Sequence, residues 1–163
     1  MLIVCDLDGT VAKITHRVHY VRTNPRNYEA FSAAIPLDTP EKEVIGVINA
    51  LHSAGHKVVF ASGRGEQDRE VTLNWMVEHI GEWVLNTNLY MRKKKDYRSD
   101  EIIKTEILSQ IESELGSKPD IAIDDRLNVC RMWHSHGIKL LRVGNPDLDN
   151  NFNIRSEQNK EIK

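Results

Sequence analysis

The sequence predicts an α/β fold with a parallel sheet and crossover helices, on three observations. Short apolar runs alternate with longer stretches of helical periodicity. The first run is apolar throughout, the pattern of a central strand buried on both faces. Polar residues follow directly at the C-terminal ends of three runs, which is where open parallel sheets bind ligands.

Leu2–Cys5 is the first strand, ended by Asp6. Val44, Ile45, Val47, Ile48 and Leu51 recur at helical spacing, and Gly55 stands in the usual position for a helix end. Lys57–Ser62 reads as the second strand, and Val71, Trp75, Met76 and His79 as a second helix. Val84–Met91 is a weaker third strand. A third helix carries Ile103, Ile107, Leu108, Ile111 and Leu115, stopped by Gly116 and Pro119. Ile121–Ile123 is the fourth strand, ended by Asp124 and Asp125. A helix through Leu127, Cys130, Trp133 and His134 precedes Gly137, and Lys139–Val143 is the fifth strand. Residues 1–145 are expected to form one domain, with 146–163 as a polar C-terminal tail.

Composition narrows the function classes. The 163 residues carry 22 Lys+Arg against 24 Asp+Glu, with 28% charged and 40% hydrophobic residues, the balance of a globular domain and not of a disordered tail. A net charge of −2 excludes a basic DNA-coating surface but leaves room for a local basic patch. Cys5 and Cys130 lie among apolar residues without metal-site spacing and read as buried thiols. No apolar run approaches the roughly 20 residues that span a bilayer, and the N-terminus lacks the look of a signal peptide. A cytoplasmic protein is expected, with no membrane partner.

The strand ends carry the chemistry. Asp6-Leu7-Asp8-Gly9-Thr10 places two carboxylates two residues apart, one able to attack and the other to move protons. A solvent-facing turn is the plainer reading of Asp-x-Asp-Gly, but this one follows a wholly apolar strand. Crowded acids repel, so a divalent cation is expected to neutralise them. Asp124 and Asp125 offer hard oxygen ligands suited to Mg²⁺, or else cap the following helix. Ser62-Gly63-Arg64 combines a hydroxyl, backbone N–H groups and a guanidinium fork for phosphoryl oxygens, although alone it is equally well a turn.

Together these residues resemble the haloacid dehalogenase (HAD) superfamily of aspartyl-phosphate phosphotransferases. The Asp-x-Asp-Gly-Thr motif stands intact at Asp6–Thr10, Ser62 matches the second motif, Lys104 is the candidate for the third, and Asp124-Asp125 form the acidic pair. A closer resemblance is to the 3′-phosphatase domains of phage polynucleotide kinase-phosphatases. It is carried by Asp6–Lys13 with Arg17 beyond, Val59–Arg64, Arg98–Lys104 and Ala122–Arg126 with Met132-Trp133 following.

That resemblance implies a HAD-like Rossmannoid three-layer α/β/α sandwich, with a central parallel sheet and a small cap insert around 14–38. It implies Asp6 as nucleophile and Asp8, protonated at first, as general acid and then base. Ser62, Gly63, Arg64, Arg17 and Asp100 would bind phosphate or substrate, and Lys104 would be catalytic, oriented by Asp100, Asp124 or Asp125. Mg²⁺ would be held by Asp6, the backbone carbonyl of Asp8, and Asp124 or Asp125. Without the resemblance, Lys104 reads equally as an exposed helical lysine and Arg17 as a surface arginine.

The expected activity is removal of the 3′-phosphate from DNA or RNA ends in end repair. No Gly-x-x-x-x-Gly-Lys-Ser/Thr occurs, so a phosphatase without a kinase domain is expected. About 30 residues separate Asp8 from the helix near Glu41, and about 40 separate Ser62 from Lys104, which implies a small cap and an open site. Arg92-Lys93-Lys94-Lys95 and Arg98 are candidates for backbone contacts, or a solvated loop, and Tyr20, Tyr28 and Tyr97 for base stacking or ordinary packing. A HAD nucleotidase or small-metabolite phosphatase shares these motifs, and a non-catalytic HAD-like module would lack one of them.

Overall fold

In the computed structural model, which describes residues 1–144, the chain runs β1 (Leu2–Cys5), β2 (Ala12–Lys13), α1 (His19–Arg22), α2 (Tyr28–Ala33), β3 (Thr39–Pro40) and α3 (Lys42–Ser53). It continues through β4 (Lys57–Gly65), α4 (Arg69–His79), β5 (Leu89–Arg92), α5 (Asp100–Leu115), β6 (Ile121–Asp124), α6 (Leu127–Ser135) and β7 (Lys139–Arg142). The expected tail, 146–163, lies outside the described residues.

Five parallel strands form one sheet in the order β5-β4-β1-β6-β7. All four residues of β1 are buried, and they divide by parity between two cores. Ile3 and Cys5 pack with Ile45 and Ile48 of α3 and with Trp75 and Met76 of α4. Leu2 and Val4 pack with Ile107 and Ile111 of α5 and with Val129 and Trp133 of α6. Helices therefore cover both faces, giving the three-layer α/β/α sandwich. Each fully buried aliphatic or aromatic side chain contributes about 1.5–3 kcal/mol, so the unbroken apolar run of β1 serves both layers at once.

Two boundaries differ from the sequence expectation. The third strand begins only at Leu89, because Glu82–Asn86 coil into a 3₁₀ turn that still buries Val84. Gly81 at φ 136° sets the entry, and the polar Asn86-Thr87-Asn88 separates turn from strand. The second strand runs on to Gly65, with an irregularity between Ser62, paired to Met91, and Gly65, paired to Arg92. That irregularity lifts Gly63 and Arg64 out of the regular ladder. A two-residue antiparallel pair also escapes periodicity: Ala12 and Lys13 of β2 pair with Pro40 and Thr39 of β3. The segment between those two strands folds back as α1, α2 and a 3₁₀ turn at Ile35–Leu37. None of the described helices is long and apolar enough to cross a membrane.

Candidate active site

From β1 the sheet extends in both directions, through β4 to one edge and through β6 to the other. The crevice at the carboxyl end of β1 is therefore the topological switch point, and Asp6 occupies it. Its backbone N–H donates to the Ile123 carbonyl at 2.9 Å, tying it to β6. The Leu7 carbonyl then accepts the N–H groups of Thr10, Val11 and Ala12 at 3.1, 3.0 and 2.9 Å, which winds Asp8-Gly9-Thr10 into a tight turn. Gly9 sits at φ +88°, a backbone that favours glycine, and a Cβ there would push against the Asp125 carboxylate.

Parallel register carries the other strand ends to the same rim. Cys5 pairs with Ile123 and Phe60, which sets Asp124 level with Asp6 and Ser62 level with Leu7. Asp6, Asp124 and Asp125 each offer an oxygen within 4.8 Å of the others. Lys104 of α5, only 2% exposed, donates to Asp6 Oδ1 at 2.6 Å and to Asp124 Oδ2 at 2.7 Å. It is thus buried, and the surface-lysine reading falls. Thr10 Oγ1 donates to the other Asp6 oxygen at 3.2 Å, and Trp133 Nε1 to Asp124 Oδ2 at 3.2 Å. The Arg126 N–H donates to Asp124 Oδ1 at 3.2 Å, leaving Asp125 the least engaged carboxylate of the three.

One ammonium does not balance three carboxylates. Burial, and then repulsion from Asp124 and Asp125, pushes Asp6 up to about 7 despite Lys104. Burial and Asp124 likewise push Asp125 up to about 7. Burial disfavours the Lys104 ammonium, but Asp124 and Asp6 outweigh it and raise its pKa. Uncompensated negative charge on hard oxygen ligands is the environment a divalent cation fits.

Asp8 faces away from this cluster into a second network. Burial would raise its pKa, but Arg64 and Arg17 outweigh it and hold the carboxyl below the ordinary value. Arg64 Nε donates to Asp8 Oδ1 at 2.8 Å and Arg17 Nη2 to the same oxygen at 2.9 Å. Both guanidiniums are anchored by Asp38, which is 3% exposed: Arg17 Nε and Nη2 reach it at 2.6 and 2.7 Å, and Arg64 Nη2 at 2.7 Å. A resting Asp8 is therefore ionised, contrary to the expected protonated start, because two cations share one of its oxygens. Arg17 is wholly buried, not a surface arginine, and its guanidinium lies 4.1 Å from the centre of the Phe31 ring.

Asp38 was not singled out from the sequence. A lone acid some 30 residues past the motif carries no signal until the intervening segment folds back. Trp75 Nε1 fixes its backbone by donating to the Asp38 carbonyl at 2.8 Å. Thr72 adds a weaker tie, accepting from Arg64 Nη1 at 3.3 Å.

Ser62 is buried, and its hydroxyl accepts the Arg64 N–H at 3.2 Å. Of the three acids offered as partners of Lys104, Asp124 takes that place, while Asp100 pairs with Arg92 and Arg126. It lies against Gly63, where a Cβ would come 3.0 Å from Asp100 Oδ1. Lys104, one helical turn beyond Asp100, is taken by Asp6 and Asp124. Arg92 turns inward to donate to the Gly63 carbonyl at 2.9 Å, and Arg98 pairs with Asp96 and Glu106. Of the basic run, Lys93, Lys94 and Lys95 remain on the exposed surface. Cys5 and Cys130 are buried free thiols.

The model of the polynucleotide kinase PNKP phosphatase domain matches residues 1–148. The chain belongs to that family. A bifunctional polynucleotide kinase/RNA ligase of Autographa californica nuclear polyhedrosis virus, so described, is 30% identical over 133 residues, which are 80% of this chain and 17% of the viral protein. Among solved structures, the Pnkp1/Rnl/Hen1 RNA repair complex contains a chain with TM-score 0.69 and 27% identity, covering 87% of this chain and 42% of that one. The chain thus spans less than half the length of either relative. The class C acid phosphatase of Bacillus anthracis shares the fold, with TM-score 0.63 and 16% identity over 89% of this chain and 66% of its own. The chain is thus a HAD domain of the PNKP phosphatase family.

Proposed function

We propose that this domain removes the 3′-phosphate from polynucleotide ends, with Mg²⁺, through an aspartyl-phosphate on Asp6. The observation that carries this reading is the meeting of Asp6, Asp124, Asp125 and Lys104 at the end of β1 in a PNKP-family chain.

Lys104 favours the ionised form of Asp6 against burial and its neighbouring acids, and Thr10 fixes the second oxygen, so the carboxylate is aimed before substrate arrives. Asp6 attacks phosphorus as the bond to the 3′-oxygen breaks. The phosphate monoanion brings a proton, its second pKa being about 6. Asp8 accepts that proton and passes it to the departing 3′-oxygen. Ionised again under Arg17 and Arg64, Asp8 then takes a proton from the water that cleaves the Asp6–phosphorus bond. Ser62, the Gly63 and Arg64 backbone and Lys104 line the phosphoryl group's place, and Asp100 holds Arg92 and Arg126 beside it. Asp6, Asp124, Asp125 and the Asp8 carbonyl would hold the Mg²⁺, which when bound neutralises charge and polarises the phosphoryl oxygens. The segment 14–38 acts as the small cap, contributing Arg17 and Asp38.

The test compares a 3′-phosphorylated oligonucleotide, its 5′-phosphorylated counterpart, a 3′-mononucleotide and a 5′-mononucleotide, each with Mg²⁺ and with EDTA. Mg²⁺-dependent turnover led by the 3′-phosphorylated oligonucleotide is expected. Preference for 5′-mononucleotides, with oligonucleotide ends untouched, would point to a nucleotidase instead.

A further inference from the structure

Outside the catalytic rim, the cap and the loop after β5 meet through two tyrosines. The rings of Tyr28, at the start of α2, and Tyr97 lie 5.9 Å apart at 44°. They are 45% and 75% exposed, so a paired aromatic surface is left facing water. Lys93, Lys94 and Lys95 are exposed on the same loop as Tyr97, and Arg26 donates to the Tyr28 hydroxyl at 3.1 Å. The patch adjoins the phosphoryl site through one residue. Arg92 donates to the carbonyls of Asp96 and Arg98, on either side of Tyr97, and to the carbonyl of Gly63, next to Ser62. Tyr28 also lines a cleft of about 520 Å³ between α2 and α4, bordered by Glu29 and Asp68, a charge that turns a phosphate chain away.

We propose that Tyr28 and Tyr97 form a stacking platform for a base on the 5′ side of the terminal nucleotide, while Lys93–Lys95 and Arg26 neutralise the adjoining backbone phosphates. A single strand is the occupant that this chemistry fits, since every base has a π-face and every linkage an anionic charge. This rests on the polynucleotide reading above and supplies what that reading lacks, a contact that only a strand longer than one nucleotide can reach.

Steady-state kinetics of the Tyr28→Ala/Tyr97→Ala double variant test it, on a 3′-phosphorylated oligonucleotide and on a 3′-mononucleotide. KM for the oligonucleotide should rise about ten-fold or more with kcat little changed, the scale of one lost base stack. The mononucleotide, too short to reach the platform, should show unaltered parameters and so reports correct folding. Tyr97→Trp should keep the low oligonucleotide KM. In a companion measurement, replacing Lys93, Lys94 and Lys95 with Ala should flatten the dependence of log(kcat/KM) on log[salt] by about 2, given roughly 0.7 per single-strand phosphate. An unchanged oligonucleotide KM in the double variant, or an unchanged salt slope, overturns the platform. If the unaltered protein shows no preference for the oligonucleotide over the mononucleotide, the polynucleotide reading has failed first.

Discussion

Lys104 touches two carboxylates that would otherwise face each other in a dry crevice. Lys104→Met removes the cation that, among the described residues, touches the nucleophile, and kcat is expected to fall about 10²–10³-fold, the cost of losing one charged donor at a reacting centre. Circular dichroism melting should accompany the assay, because Asp6 and Asp125 can take up protons and so limit the loss of stability. Asp38 poses the opposite case. It touches no reacting atom in the proposed mechanism, yet it accepts from both guanidiniums that grip Asp8. Asp38→Ala leaves two buried cations short of a partner and should cost about 3–5 kcal/mol in chemical denaturation. Asp38→Asn keeps the shape and removes the charge, so Asp8 must answer to Arg17 and Arg64 alone and its pKa falls further. The acid limb of the kcat profile should then move to lower pH, a shift that a merely structural role for Asp38 would not produce.

Elements carry the site because the apolar runs end where the chemistry begins. Asp6, Ser62 and Asp124 were legible in the sequence since each ends a buried apolar run, and parallel register leaves them one common rim. The turn Asp8-Gly9-Thr10 was legible for the same reason, and it makes its own prediction. Gly9→Ala should cost about 1–2 kcal/mol for a side chain in the left-handed region. It should also displace Asp125, weakening Mg²⁺ binding as read by thermal shift against added Mg²⁺. What was not legible belongs to elements too short to show a period. β2 and β3 have two residues each, and only their pairing brings the 14–38 segment back over the rim. Arg17 was placed by resemblance alone, and Asp38 was missed, because both depend on that return. Spacing along α5 left three acids open as partners of Lys104, and only the strand register that sets Asp124 beside Asp6 decides for Asp124.

At the scale of the molecule, the acids cost stability that a metal ion restores. Asp6 and Asp125 titrate near 7 when folded, against 3.8 for an unperturbed aspartate. Between those values the folded chain holds more protons than the unfolded one, so stability falls as pH rises from about 4 to 7. Asp8 works the other way, its depressed pKa giving support that is lost only as pH falls below the unperturbed value. Metal-free protein should therefore melt at a higher temperature at pH 5 than at pH 8. Added Mg²⁺ should raise the melting temperature more at pH 8, where the carboxylates are fully charged; an equal shift at both pH values would contradict the ligand set. Arg17 links this electrostatic design to mechanics. It lies in the segment that returns over the rim, stacks there on Phe31, and also holds Asp8. Any displacement of that segment would take a guanidinium from Asp8, so the position of the segment and the charge of that carboxylate are tied through one side chain.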